Sequence, residues 1–167
     1  MRHRVLIAAA FCLTLAPFAA WSAEFRALSS WDQSYPVRPK FFEVFLKNVE
    51  TASKGDMKFL VSGPETVPPF EQLQPVGSGV FQVLFTHGAY HVGQTPYLTS
   101  VEALGGDLKK WREAGVRDMV DRHYQKFNLK LVALGQTPER SALQVILRQP
   151  IGPSGDLKGR KIRGTVT

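Results

Sequence analysis

One cysteine, Cys12, is all the chain contains, and that scarcity excludes several kinds of protein at once. No internal disulfide can form. Cys12 also lies in an N-terminal apolar run of the kind that export removes, so the remaining chain has no thiol for nucleophilic catalysis or metal binding. The residue before it is Phe11 rather than the small residue expected ahead of a lipid-modified cysteine. Familiar catalytic signatures are missing as well. There is no Gly-x-Ser-x-Gly elbow and no phosphate-cradling Gly-x-x-x-x-Gly-Lys-Ser/Thr loop, and Gly77-Ser78-Gly79 stands before an expected strand, the wrong side for a nucleotide loop. No repeat or low-complexity tract interrupts the chain. A long apolar run occurs once, over residues 5–20, and falls short of the roughly 20 residues a membrane-spanning helix needs.

That run is framed as a secretory signal peptide over residues 1–23. Arg2, His3 and Arg4 supply the positive start, and small residues at Ala20, Ser22 and Ala23 offer cleavage positions. The formal charge of +7 suggests nucleic acid at first sight. Removing Arg2 and Arg4 from the 21 basic residues leaves 19 against 14 acidic ones, scattered rather than clustered, and no nucleic-acid motif accompanies them. They read as a solvated surface. At 44% apolar and 21% charged residues, the chain has the profile of a globular domain with a real core.

Strand-like and helix-like stretches alternate along it, which predicts an α/β fold with a parallel sheet. Strands are expected over 25–28, 58–61 and 80–85. Between the first two, Pro36 and Pro39 open a helix whose stripe is Phe41, Phe42, Phe45, Leu46 and Val49; between the next two, Pro68-Pro69 starts a short helix through Phe70, Leu73 and Val76. Asp107 caps a single long helix over 108–127 with Trp111, Val116, Met119, Val120, His123, Tyr124 and Phe127 buried; Asp118, Asp121 and Arg122 read as ordinary surface charges on its wet side. A fourth strand over 129–134 follows. The polar turn 135–141 is the best internal boundary.

Ligands of parallel α/β sheets lie beyond the carboxyl ends of the strands, so those ends are where to look. Ser29, Ser30 and Trp31 follow the first strand, Glu65 and Thr66 the second, and Thr86, His87, Gly88 and Tyr90 the third. A histidine among small polar residues can donate to a carboxylate or hydroxyl, or simply cap a loop. Trp31 and Tyr90 can wall an apolar ligand skeleton, or close a core. Glu65 reads as structural, neutralised by a nearby helix start. His87 and His91 have zinc-like spacing only on a helix, which Gly88, Gly93 and Pro96 oppose. No metal or cofactor is expected.

The most informative stretch is Gly155-Asp156-Leu157-Lys158-Gly159-Arg160-Lys161-Ile162-Arg163. Asp156 can cap one turn, Gly159 can close it at positive φ, and Arg163 is delivered at the end of a short strand. Arginine suits a fixed bidentate grip on a carboxylate, since its planar fork matches two oxygens and keeps its charge. The segment Asp156 to Arg163 resembles the Asp-Leu-Lys-Gly-x-Lys-Ile-Arg signature of the periplasmic solute-binding proteins of TRAP transporters, the dicarboxylate-binding type, with Arg160 at the variable place.

That resemblance implies a two-lobed, type II periplasmic-binding-protein-like fold. It implies capture of a small organic carboxylate, delivery to membrane permease subunits, and no catalysis. Arg163 would then hold the carboxylate while Ser30 and His87 line the cleft from the first lobe. Arg148 and Arg140, near the crossing between lobes, are second anion contacts or hinge salt bridges. Members of the family run on well past this arginine, whereas this sequence stops four residues later at Thr167. The expected organisation is therefore a signal peptide over 1–23, lobe I over 24–138, and a hinge crossing with the start of lobe II over 139–167. Binding by the 167 residues alone is expected to be weak or absent. On the residues by themselves two other functions stay open: a small periplasmic hydrolase using His87 with Ser30 or Thr86, and a structural or partner-binding domain with no small ligand.

Overall fold

The structure, a computed structural model, describes residues 22–104, 107–135, 147 and 149–161. The signal-peptide segment with Cys12, the boundary turn beyond Gly135, Arg140, Arg148 and Arg163 lie outside these residues. Strand β1 (Ala23–Ser29) is followed by a π-helical turn (Arg38–Phe42), helix α1 (Glu43–Ala52) and strand β2 (Met57–Ser62). A short 3-10 turn (Pro69–Glu71) leads to α2 (Leu73–Gly77) and β3 (Val83–Phe85). Then come a 3-10 turn (Gly88–His91), α3 (Tyr97–Glu102), α4 (Leu108–Glu113), α5 (Val116–Tyr124) and a closing turn (Gln125–Phe127).

The described strands form one parallel sheet in the order β2-β1-β3, with Ala27 opposite both Val61 and Val83. Because β1 is central and the chain leaves it first to one side and then to the other, the two crossovers cover opposite faces. The alternation of side chains along the strands shows this directly. Ala27, Phe59, Val61, Val83 and Phe85 pack with Phe42 and Leu46 beneath α1, whereas Leu28 and Leu84 pack with Val76 and Phe81 beneath α2. Leu28 is fully buried between these groups. The stripe expected on α1 is broader than what the sheet covers. Phe42 and Leu46 are 3% exposed, while Phe41 is 67% and Phe45 41% exposed.

Three elements depart from the sequence expectation. Strand β3 begins at Val83 rather than at 80, because Gln82 meets Arg26 with its side chain: the Arg26 N–H donates to Gln82 Oε1 at 2.8 Å, and the Gln82 N–H donates to the Arg26 carbonyl at 2.8 Å. The single long helix is two, broken at Gly115, whose φ of +71° ends α4 in a conformation that glycine adopts without a Cβ clash. The break lets Trp111 from α4 and Val116, Val120 and Tyr124 from α5 enter one core with Leu73 and Val101. Asp107 caps α4 as expected, its Oδ1 accepting from the N–H groups of Lys109 and Lys110.

The stretch 129–134 pairs with no strand among the described residues. Its alternation has a different cause: Leu129, Leu131 and Leu134 pack against the helical core, and Asp121 holds the backbone there. Asp121 is therefore a buried anchor, 7% exposed, not a surface charge. Its carboxylate accepts from Lys130 Nζ, from the Leu131 N–H at 2.8 Å and from Gln125 Nε2 at 3.0 Å. Those bonds, led by the one from Lys130, hold its pKa below the ordinary carboxylate value.

Candidate functional site

In the order β2-β1-β3 the chain reverses its winding direction at β1, and the crevice at the carboxyl ends of β1 and β3 is where an open parallel sheet presents a ligand site. Register puts Ser29 level with Phe85, so the residues just beyond, Ser30 with Trp31 and Thr86 with His87, come side by side. The Ser30 N–H donates to the Phe85 carbonyl at 2.9 Å, which locks the two strand ends together.

A buried polar chain lies under this crevice. Gln72, fully buried at the entry to α2, donates through Nε2 to the carbonyls of Val67 at 2.9 Å and Ser29 at 3.3 Å. Two carbonyl partners fix the amide orientation, so Oε1 faces Ser30, whose Oγ is 2.5 Å away. Ser30 Oγ is in turn 2.8 Å from Thr86 Oγ1, and Thr86 Oγ1 is 3.2 Å from His91 Nε2. His91 is 1% exposed, and its Nδ1 has no hydrogen-bond partner. Burial pushes the His91 pKa down to about 4, with neighbouring His87 adding to the effect, so the ring is neutral at ordinary pH. Behind it, Thr95 Oγ1 meets His123 Nε2 at 2.7 Å, and the His123 ring stacks on Tyr97 with centroids 3.9 Å apart.

Above the polar chain stands an aromatic wall. Trp31 lies against Phe85, centroids 5.0 Å apart, and meets Tyr90 edge to face at 5.9 Å; Tyr90 meets Phe70 edge to face at 5.4 Å. Trp31 and Tyr90 are both half-buried. Burial, with Tyr35 beside it, raises the Tyr90 phenol above its usual pKa, so it remains a protonated hydroxyl. Phe42 stacks under Phe85 at 4.8 Å and ties the wall to the α1 core.

Of the residues singled out from sequence, Ser30, Trp31, His87 and Tyr90 come to the adjoining carboxyl ends of β1 and β3. His87 caps the turn that carries Tyr90. Its Nδ1 accepts from the Ala89 N–H at 3.1 Å, which leaves the proton of the neutral ring on Nε2. Glu65 is exposed and accepts from the Gly63 N–H at 2.7 Å, a turn-closing role. Gly88 is required where it stands, since a Cβ there would lie 2.9 Å from Leu98 Cβ on α3. Arg148 and Arg163 are not among the described residues. Just ahead of Arg163, Asp156 Oδ1 accepts from the Lys158 N–H at 2.8 Å and Gly159 has φ +77°, and Arg160 donates to the carbonyls of Gln149 and Pro150.

Two members of the site, Gln72 and His91, are not singled out as site residues by the sequence. A rejected metal spacing was the one signal touching His91, and the histidine that reaches Thr86 is this one rather than His87. Among the described residues no group of three or more metal-ligating side chains gathers, and no helix is long and apolar enough to cross a membrane.

The sequence matches no protein-family model and no curated protein. Among solved structures, the fold is similar to a TRAP transporter solute-binding protein from Bordetella bronchiseptica RB50, a mixed-occupancy dimer with copurified calcium and picolinate in one active site and the other site apo. The TM-score is 0.57 at 19% identity, over 64% of this chain and 34% of that one. The present chain thus spans about a third of that protein's length. At this identity the likeness shows the fold: the α/β, periplasmic-binding-protein-like architecture expected from the sequence is what the structure has.

Proposed function

We propose that this chain is the periplasmic solute-binding component of a TRAP-type secondary transporter, which captures a small organic carboxylate and hands it to the membrane permease subunits. The observation that carries the reading is the cluster at the carboxyl ends of β1 and β3. At the topological switch point of a periplasmic-binding-protein-like sheet, the aromatic pair Trp31 and Tyr90 stands beside the strand-end residues Ser30, Thr86 and His87. The fold likeness to a solute-binding protein, which is not an enzyme, supports the same reading.

In this account residues 1–23 direct export, 24–138 form lobe I, and 139–167 make the hinge crossing and open lobe II. Arg163 comes from the second lobe to grip the ligand carboxylate with its planar fork, and Arg148 is a further anion contact beside it. The lobes close over the ligand because an ion pair sealed from water no longer competes with solvent, and the permease recognises the closed form. Ligand binding needs both lobes, so binding is measured on the full-length protein.

A hydrolase built on Ser30 lacks a base at that hydroxyl. Gln72 Oε1 can only accept, so the Ser30 hydroxyl proton goes to an amide oxygen and not to a base.

Trp31 makes the proposal directly testable. Titration with the right organic acid should change the tryptophan emission saturably, and Trp31→Phe should remove the change while leaving the Trp111 signal. Emission that stays constant across mono-, di- and keto-carboxylates would overturn the proposal.

A further inference from the structure

The protons along the buried chain can be assigned one by one, and the assignment constrains what the crevice can recognise. Gln72 directs Nε2 at two carbonyls, so Oε1 faces Ser30 and can only accept. Ser30 has a single hydroxyl proton, and at 2.5 Å it belongs to that amide oxygen. The proton between Ser30 and Thr86 must then be the Thr86 hydroxyl's, donated to Ser30 Oγ across 2.8 Å. Thr86 has no second proton to offer His91, so His91 Nε2 is the donor across 3.2 Å and carries its ring proton there. The bare nitrogen is consequently Nδ1, the atom left without a partner. The neighbouring hydroxyl is committed in the same sense: Ser29 Oγ donates to the Trp31 carbonyl at 2.9 Å and accepts the Trp31 N–H at 3.1 Å.

We infer that Gln72, Ser30, Thr86 and His91 form a one-way hydrogen-bond chain in which His91 is a positioning residue, held as its Nε2–H tautomer, and that this chain leaves Thr86, at the carboxyl end of β3, as a hydrogen-bond acceptor that takes a ligand hydroxyl. The hydroxyl protons of Ser29, Ser30 and Thr86 all point into the protein. What Thr86, half-buried at the strand end, has left is a lone pair. A ligand carboxylate or keto oxygen set against it meets a second lone pair, whereas a ligand hydroxyl completes a bond. The chemical class is therefore a hydroxy acid, its hydroxyl on lobe I and its carboxylate on other groups. The ligand half of this inference rests on the solute-binding reading above; the tautomer half does not.

Two measurements test it. Nitrogen-15 NMR of the histidine-labelled chain at neutral pH reads the tautomer from the couplings between ring protons and each ring nitrogen. His91 should show a protonated Nε2 and a bare Nδ1; Thr86→Val should mix in the Nδ1–H form, and Thr86→Ser, which keeps the hydroxyl, should restore the wild-type signature. An Nδ1–H or doubly protonated His91 in the wild type overturns the inference whatever ligand binds. Thermal shifts of the full-length protein are then compared for matched pairs: lactate with pyruvate, malate with oxaloacetate, 2-hydroxyglutarate with 2-oxoglutarate. The hydroxy member of the best pair should bind at least about tenfold more tightly, the scale of one buried polar mismatch. Equal binding, or preference for the keto member, overturns the selectivity and leaves solute binding standing. Silence toward all six acids overturns the ligand half together with the reading it rests on.

Discussion

Taking the folded chain from pH 7 to pH 4 should cost it about 3 kcal/mol of stability through His91 alone. The ring titrates at about 4 in the fold against 6.5 when free, because burial disfavours its charged form and His87 adds to that. A depressed histidine binds fewer protons folded than unfolded. Its contribution is therefore fully present above about 6.5 and is lost as the pH falls toward 4, where the unfolded chain has taken up a proton that the native ring refuses. His123, also lowered by burial, acts in the same direction. The carboxylates held below their ordinary values, Asp32, Asp107 and Asp121, lose their contributions further into the acid range, so the window between 6.5 and 4 belongs to the histidines. Urea unfolding at a series of pH values measures this, and His91→Gln should flatten most of the slope. A denaturation midpoint that stays constant from pH 7 to pH 4.5 would mean that His91 takes up its proton freely in the fold.

The second large effect is expected at Gln72. Replacing it by leucine keeps the volume and removes an amide that serves three buried partners: the Ser29 carbonyl, the Val67 carbonyl and the Ser30 hydroxyl. Each loses its partner where water does not readily replace it, at a cost of about 1–3 kcal/mol apiece, so a total near 3–5 kcal/mol follows once some relaxation is allowed. The same substitution frees the Ser30 proton and with it the order of the whole chain. Equilibrium unfolding of Gln72→Leu against the wild type gives the number. A loss below about 1 kcal/mol would show that the amide is dispensable and that the strand ends are held by their backbone bonds instead.

These two residues also mark where sequence reasoning stops. The strands and their order of appearance are legible because a strand writes its burial into its own neighbours: Ala27 and Leu28 go into cores on opposite faces, and Val61 packs inward where its neighbour Leu60 is exposed. The strand ends followed from the strands, which is why Ser30, Trp31, His87 and Tyr90 were within reach. Gln72 was not, since its partner Ser30 is 42 residues away and nothing in the local sequence encodes a polar contact at that distance. His91 was hidden for the same reason, its link running through Thr86 to a serine on another strand. Local misreadings had local causes. Gly115 falls inside the apolar period of 108–127, which does not reveal the left-handed φ that ends α4, and the apolar residues of 129–134 that read as a strand face the helical core instead. Asp121 looked like a surface charge because the groups that need it, the Leu131 N–H and Lys130, come later in the chain.

The measurement that bears most directly on the account is a thermal-shift screen of the full-length protein against small organic acids, with Arg163→Ala alongside. A ligand at 100 times its dissociation constant stabilises the folded state by about 2.7 kcal/mol, an upward shift of several degrees. The account predicts such a shift for one class of acid in the wild type and its loss in Arg163→Ala, with the unliganded melting temperature of the mutant nearly unchanged. A shift that survives the mutation would place the carboxylate elsewhere, and no shift with any acid would contradict the solute-binding function itself.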